Sequence, residues 1–110
     1  MKTENQSKAV VVFITASGEE EAMKIGQSLV DKKLAACANV VPGIRSIFYW
    51  KGELCEEAEV LLIVKSLDHL LDRIVHNVRK LHSYDVPEII ALPIVGGSEE
   101  YLEWIEASLI

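Results

Sequence analysis

Between Leu81 and Ile94 the sequence reads Leu-His-Ser-Tyr-Asp-Val-Pro-Glu-Ile-Ile-Ala-Leu-Pro-Ile. An imidazole (His82), a phenol (Tyr84) and two carboxylates (Asp85, Glu88) fall within seven residues, a concentration of chemically different proton-exchanging and cation-binding groups. His82 could ligate a divalent cation with Tyr84, Glu88 or groups from another subunit completing the shell. The same residues also suit a rigid turn. Val86 precedes a proline and is biased towards extended backbone, and Pro87 lacks the N–H that a strand interior requires. On that reading His82 closes a helix and caps its free carbonyls when protonated.

Other groupings offer less. Asp72 and His76 are spaced to share one face of a helix, as metal ligands or as an exposed charge pair. His69 and His76 lie about 10 Å apart along a helix axis, too far to share an ion. No His-Glu-x-x-His pattern, nucleophile elbow or Gly-rich loop with lysine is present, so no enzyme and no organic cofactor is expected. Cys37 sits in an apolar stretch as a small buried hydrophobe, and Cys55 lies among Glu53, Glu56 and Glu57, whose charge opposes thiolate formation. Phe48, Tyr49 and Trp50 beside Lys51 could stack on a ligand or line a subunit interface.

The elements that position these residues follow from periodicity. Lys8 to Thr15 contains a continuous β-branched run, expected as a strand buried on both faces. Ser17 with Glu20 reads as a capping box opening a helix whose apolar positions are Ala22, Ile25, Gly26 and Leu29. Gly26 on that face predicts a close approach to the sheet. Ala35–Val41 and Ile44–Trp50 form a strand bent at Pro42-Gly43, which returns through Lys51-Gly52-Glu53 into a buried strand at 59–65. Such a long hairpin exposes aromatic side chains and strand edges that a partner chain would cover. Leu67, Leu70, Leu71, Ile74, Val75, Val78 and Leu81 keep helical spacing. A strand at 88–94 follows, and Ser98 caps a last helix with Tyr101, Leu102, Ile105 and Leu109 inward.

The order β-α-β-β-α-β plus a terminal helix predicts an α+β, ferredoxin-like sandwich with an extra C-terminal helix and a long bent β-hairpin. Residues 1–8 are expected to be a short polar tail, and residues 9–110 a single domain. A net charge of -6 over 110 residues argues against nucleic acid as a partner. No apolar run is long enough for a transmembrane helix, so no membrane partner is expected. The polar N-terminus lacks a signal-peptide pattern, and a cytoplasmic location is expected.

Four blocks, Lys33–Gly43, Ser46–Gly52, Leu81–Ile90 and Tyr101–Ile105, taken in order, resemble the CutA divalent-cation tolerance family over nearly the whole chain. The resemblance implies a homotrimer with an architecture similar to PII signalling proteins, its hairpins extending sheets across subunit boundaries. It also implies tolerance to divalent cations. Copper binding in that family is associated with a first-strand cysteine and a histidine pair, and this sequence matches only His82 of that set. The expected function is therefore non-enzymatic divalent metal (copper) tolerance, with weak binding of Cu(II) or another divalent cation at His82. The alternative is a PII-like trimer holding a small anion or metabolite in an inter-subunit cleft near Trp50, Lys51, Tyr84 and Glu88.

Overall fold

The computed structural model describes residues 8–109; the expected tail, apart from Lys8, lies outside them. The elements are β1 (Ala9–Ala16), α1 (Glu19–Asp31), β2 (Cys37–Trp50), β3 (Glu53–Leu67), α2 (Leu71–Leu81), β4 (Ile89–Pro93) and α3 (Glu99–Ser108). The four strands form one sheet in the order β2-β3-β1-β4, with every neighbouring pair antiparallel. Its edges are therefore β4, the shortest of them with five residues, and β2 with fourteen.

One face of the sheet is closed by α1 and α2. Val12, Ile14, Leu62 and Val64 from the strands and Ile25, Leu29, Ile74 and Val78 from the helices are fully buried there in one cluster. Gly26 makes this packing possible, because a Cβ at that position would stand 3.3 Å from both Ala38 Cβ and Leu62 Cδ2. The helices are tied together by Asn77, which accepts from Lys32 Nζ at 2.9 Å and donates to Ser28 Oγ at 3.0 Å.

The opposite face is only partly covered. Val11 and Phe13 are half-buried, so β1 is not sealed on both sides as its apolar run predicts. Leu61 and Ile63 of β3 behave alike. The reason is that α3 shields only one end of this face, where Ile105 is fully buried and the Tyr101 side chain hydrogen-bonds to Cys37. Tyr101 is itself 42% exposed rather than inward. Cys37 is half-buried with Lys65 Nζ 3.9 Å from its sulfur, a more polar setting than a core hydrophobe. Ser98 caps α3 as expected, its Oγ accepting from Tyr101 N–H at 3.3 Å.

The hairpin is longer than the apolar pattern indicates, because β3 begins at Glu53. Its tip is a two-residue turn in which Lys51 (φ 53°) and Gly52 (φ 84°) both take left-handed backbone, matching the twist of the flanking strands. The bend expected at Pro42-Gly43 is a bulge: Val41 pairs with Leu61 and Ile44 with Glu59, leaving two residues opposite Val60. The bulge also shifts the alternation of β2. Ala38 and Val40 share a face with Val64 and Leu62, towards α1, whereas Ser46 and Phe48 share a face with Glu57 and Cys55, away from it. The distal half of β2 thus turns its even-numbered side chains to the sheet's open face.

Candidate functional site

The residues that end β1, open α1, follow α2 and enter the arm meet at the uncovered end of the sheet. His82 terminates α2 through its backbone, its N–H donating to Val78 O at 2.9 Å. Its side chain does not cap the helix carbonyls; it turns onto β1, where Nε2 lies 2.7 Å from Thr15 O. Tyr84 N–H donates to Nδ1 at 3.1 Å. A backbone N–H can only donate and a carbonyl only accept, so the imidazole is the neutral tautomer with its proton on Nε2. The His82 side chain is fully buried, and Glu21 Oε2 is the nearest carboxylate oxygen, 3.8 Å from Nδ1.

Glu21 fastens this corner. Its Oε1 accepts from Ser17 N–H (2.9 Å) and the Ser17 hydroxyl (2.7 Å), while Oε2 accepts from Ser83 N–H at 2.6 Å. Burial pushes the carboxyl pKa up, but these hydrogen bonds outweigh that and hold it down at about 2. The predicted capping box is replaced by this arrangement. The residue before the helix is Gly18, in extended backbone without a side-chain cap, and Glu21, four residues after Ser17, reaches back instead of Glu20.

Tyr84 stacks obliquely on His82, with ring centroids 4.7 Å apart, and donates its hydroxyl to Glu59 Oε2 at 2.7 Å. Glu59 is 7% exposed. Desolvation raises the Tyr84 pKa well above that of an ordinary phenol, reinforced by the Glu59 hydrogen bond and by the charges of Glu59, Glu21 and Glu57.

Tyr84 also forms part of the wall of a cavity of about 720 Å³ between the arm and the 84–88 loop. Of the four cleft residues expected from the sequence, Trp50, Tyr84 and Glu88 line it together. Lys51 does not, because it occupies the left-handed turn at the arm's tip. His82 lies behind the cavity, joined to it through Tyr84. The lining carries the carboxylates of Glu57, Glu59, Asp85 and Glu88 and no lysine, arginine or histidine, the electrostatic opposite of an anion site. Among the described residues, no group of three or more His, Cys, Asp or Glu side chains is placed to hold a metal ion.

Glu21, Glu57 and Glu59 carry no ligand role in the sequence reading. Glu57 and Glu59 were open to discovery, since alternate residues of a strand share a face. Glu21 gave no such signal, because its partner Ser83 is 62 residues away.

These features define an α+β protein with one four-stranded antiparallel sheet, three helices, a protruding two-stranded arm and an acidic, aromatic-walled cavity at the arm's base. Residues 10–108 match the family model described as CutA1 divalent ion tolerance protein, and the chain belongs to that family. It is 50% identical to the divalent-cation tolerance protein CutA of Thermus thermophilus, over 86% of this chain and 92% of the relative. It is 46% identical to the chloroplastic CutA of Arabidopsis thaliana, over 98% of this chain but 61% of the relative's length. The crystal structure of CutA1 from Oryza sativa superposes with a TM-score of 0.91 at 45% identity, covering 94% of each chain. Location varies among such proteins, since plant relatives are named chloroplastic and one from Archaeoglobus fulgidus is described as periplasmic. No helix among the described residues is long and apolar enough to cross a membrane.

Proposed function

We propose that the chain acts as a homotrimer in divalent-cation tolerance, binding ions such as Cu(II) weakly and without catalysis. Membership of a family whose relatives are named for that tolerance carries this reading. Trimer formation is supported by the arm, where Ile47, Tyr49 and Leu54 are 69%, 74% and 67% exposed, and by the unpaired edges of β2 and β4. A heterologous contact between two unlike edges, repeated around a threefold axis, closes into a ring and leaves neither edge free.

Weak metal binding follows from the state of His82. Its Nε2 is committed to Thr15 O, so only Nδ1 can turn to a cation, and only by giving up the Tyr84 N–H. Glu21 Oε2 is positioned to share the ion, at the expense of its own bond to Ser83. The remaining ligands would come from a neighbouring subunit. Calorimetric titration of Cu(II) and Zn(II) into metal-free protein, beside His82→Ala, tests the site. Saturable binding lost in the variant is expected; equal binding by both proteins would remove His82 from the function. Light scattering at micromolar concentration tests the assembly, and a mass of one chain would overturn the trimer.

A further inference from the structure

The cavity at the base of the arm contains chemistry that the metal reading does not use. Glu57, Glu59, Asp85 and Glu88 surround it without a basic side chain among the lining residues. Glu59 is almost wholly buried, and it accepts the hydroxyl of Tyr84 at 2.7 Å. Several carboxylates around a shared cleft create a strongly negative potential that favours a cation. The raised pKa of Tyr84 registers the same field, after desolvation and together with its hydrogen bond to Glu59.

A bare metal ion fits this site poorly. It needs oxygen atoms converging at about 2.0–2.6 Å, and among the described residues no three His, Cys, Asp or Glu side chains converge that way. The acids instead share the wall of a cavity of about 720 Å³ with Phe48 and Trp50. Aromatic faces attract ammonium groups and accept methylene chains, which a hydrated metal ion cannot exploit. A ligand matching both features has positive centres several ångströms apart, joined by hydrocarbon.

We propose that this cavity binds an aliphatic di- or polyamine, its ammonium groups on the carboxylates of Glu57, Glu59, Asp85 and Glu88 and its methylenes against Phe48 and Trp50. The site is separate from the one proposed for metal, since His82 and Glu21 do not line the cavity. Glu57 and Glu88 are exposed and can be neutralised without disturbing the buried Glu59–Tyr84 pair.

The test is calorimetric titration of the full chain with spermidine, in parallel with butane-1,4-diol as an uncharged chain and Mg²⁺ as a compact cation. Saturable binding of spermidine and none of the diol is expected. Affinity should fall at least tenfold in the double variant Glu57→Gln/Glu88→Gln and severalfold in Trp50→Leu, both with unchanged circular dichroism. Mg²⁺ at equal concentration should not displace spermidine. Failure to saturate in the millimolar range, unaltered affinity in the double variant, or displacement by equimolar Mg²⁺ would each overturn the proposal. The Cu(II) titration beside His82→Ala is scored independently, so either reading can fail alone.

Discussion

The body and the arm are built from the same kinds of residue and come to opposite ends. In the body, Val12, Ile14, Leu62 and Val64 are wholly buried by helices of their own chain. In the arm, Ile47, Phe48, Tyr49, Trp50 and Leu54 are each at least 39% exposed. The contrast is sharpest along β3, a single strand that begins in solvent at Glu53 and ends in the core at Leu67. Composition therefore does not decide burial; the reach of the covering helices does. A 51 Å long molecule only 25 Å wide cannot bury both ends of its hairpin by itself. The body holds the core of the single chain, and the arm leaves large apolar side chains exposed.

Four experiments would break or sharpen that contrast. The largest effect is expected from the arm: Ile47→Asp with Leu54→Asp should reduce the mass seen by light scattering to one chain while leaving the far-UV circular dichroism intact. Loss of folded structure would show instead that body and arm are one cooperative unit. In the body, Ile14→Ala should cost about 2–5 kcal/mol in denaturant unfolding, through lost burial and a residual cavity, with little change in the slope against denaturant.

The corner joining the two regions should respond to acid. The Glu21 carboxyl is held at about 2 against an ordinary 4.5, so the folded state prefers it ionised. The sign is that of a depressed pKa: its contribution is complete above about pH 4.5 and is lost as pH falls through the folded value near 2. Glu21→Gln should lower stability by roughly 2–3 kcal/mol at neutral pH and flatten the acid limb of the stability profile. An unchanged acid limb would assign acid sensitivity to other carboxylates. The smallest effect is expected at Tyr84→Phe, about 1–2 kcal/mol, because the Glu59 carboxylate would lose its hydroxyl donor while staying largely buried. A change no larger than that of an exposed Tyr49→Phe control would mean that water replaces the phenol freely.

The division between body and arm was partly visible in the residues themselves. The apolar face of α1, the cap of α3 and the bend at Pro42-Gly43 are local, and periodicity or turn chemistry reveals each of them. Half-burial of β1 and β3 was not legible, since a continuous β-branched run reads the same whether its second face meets a helix or solvent. At the site, Trp50, Tyr84 and Glu88 line one cavity of the single chain, whereas Lys51 occupies the left-handed turn at the arm's tip and is not in that wall. Glu59 and Glu21 acquire their roles from Tyr84 and Ser83, 25 and 62 residues distant, and no nearby spacing encodes such meetings.

The bulge at Pro42-Gly43 makes the face that each arm residue presents depend on backbone register as much as on side-chain identity. Beyond it, strand alternation is out of phase with the base of β2, which alone directs Ser46, Phe48 and Trp50 to the open face. Pairing the extra residue regularly instead of bulging it would slip the register by one, bring Arg45 opposite Glu57 and Ile47 opposite Cys55, and turn the row Arg45, Ile47 and Tyr49 to the open face without altering any of those side chains. Closing the bulge at full length would then rewrite the cavity wall as thoroughly as several point substitutions. Loss of one residue at the bulge, by contrast, would keep Ile44 opposite Glu59 and leave Ser46, Phe48 and Trp50 on the cavity side.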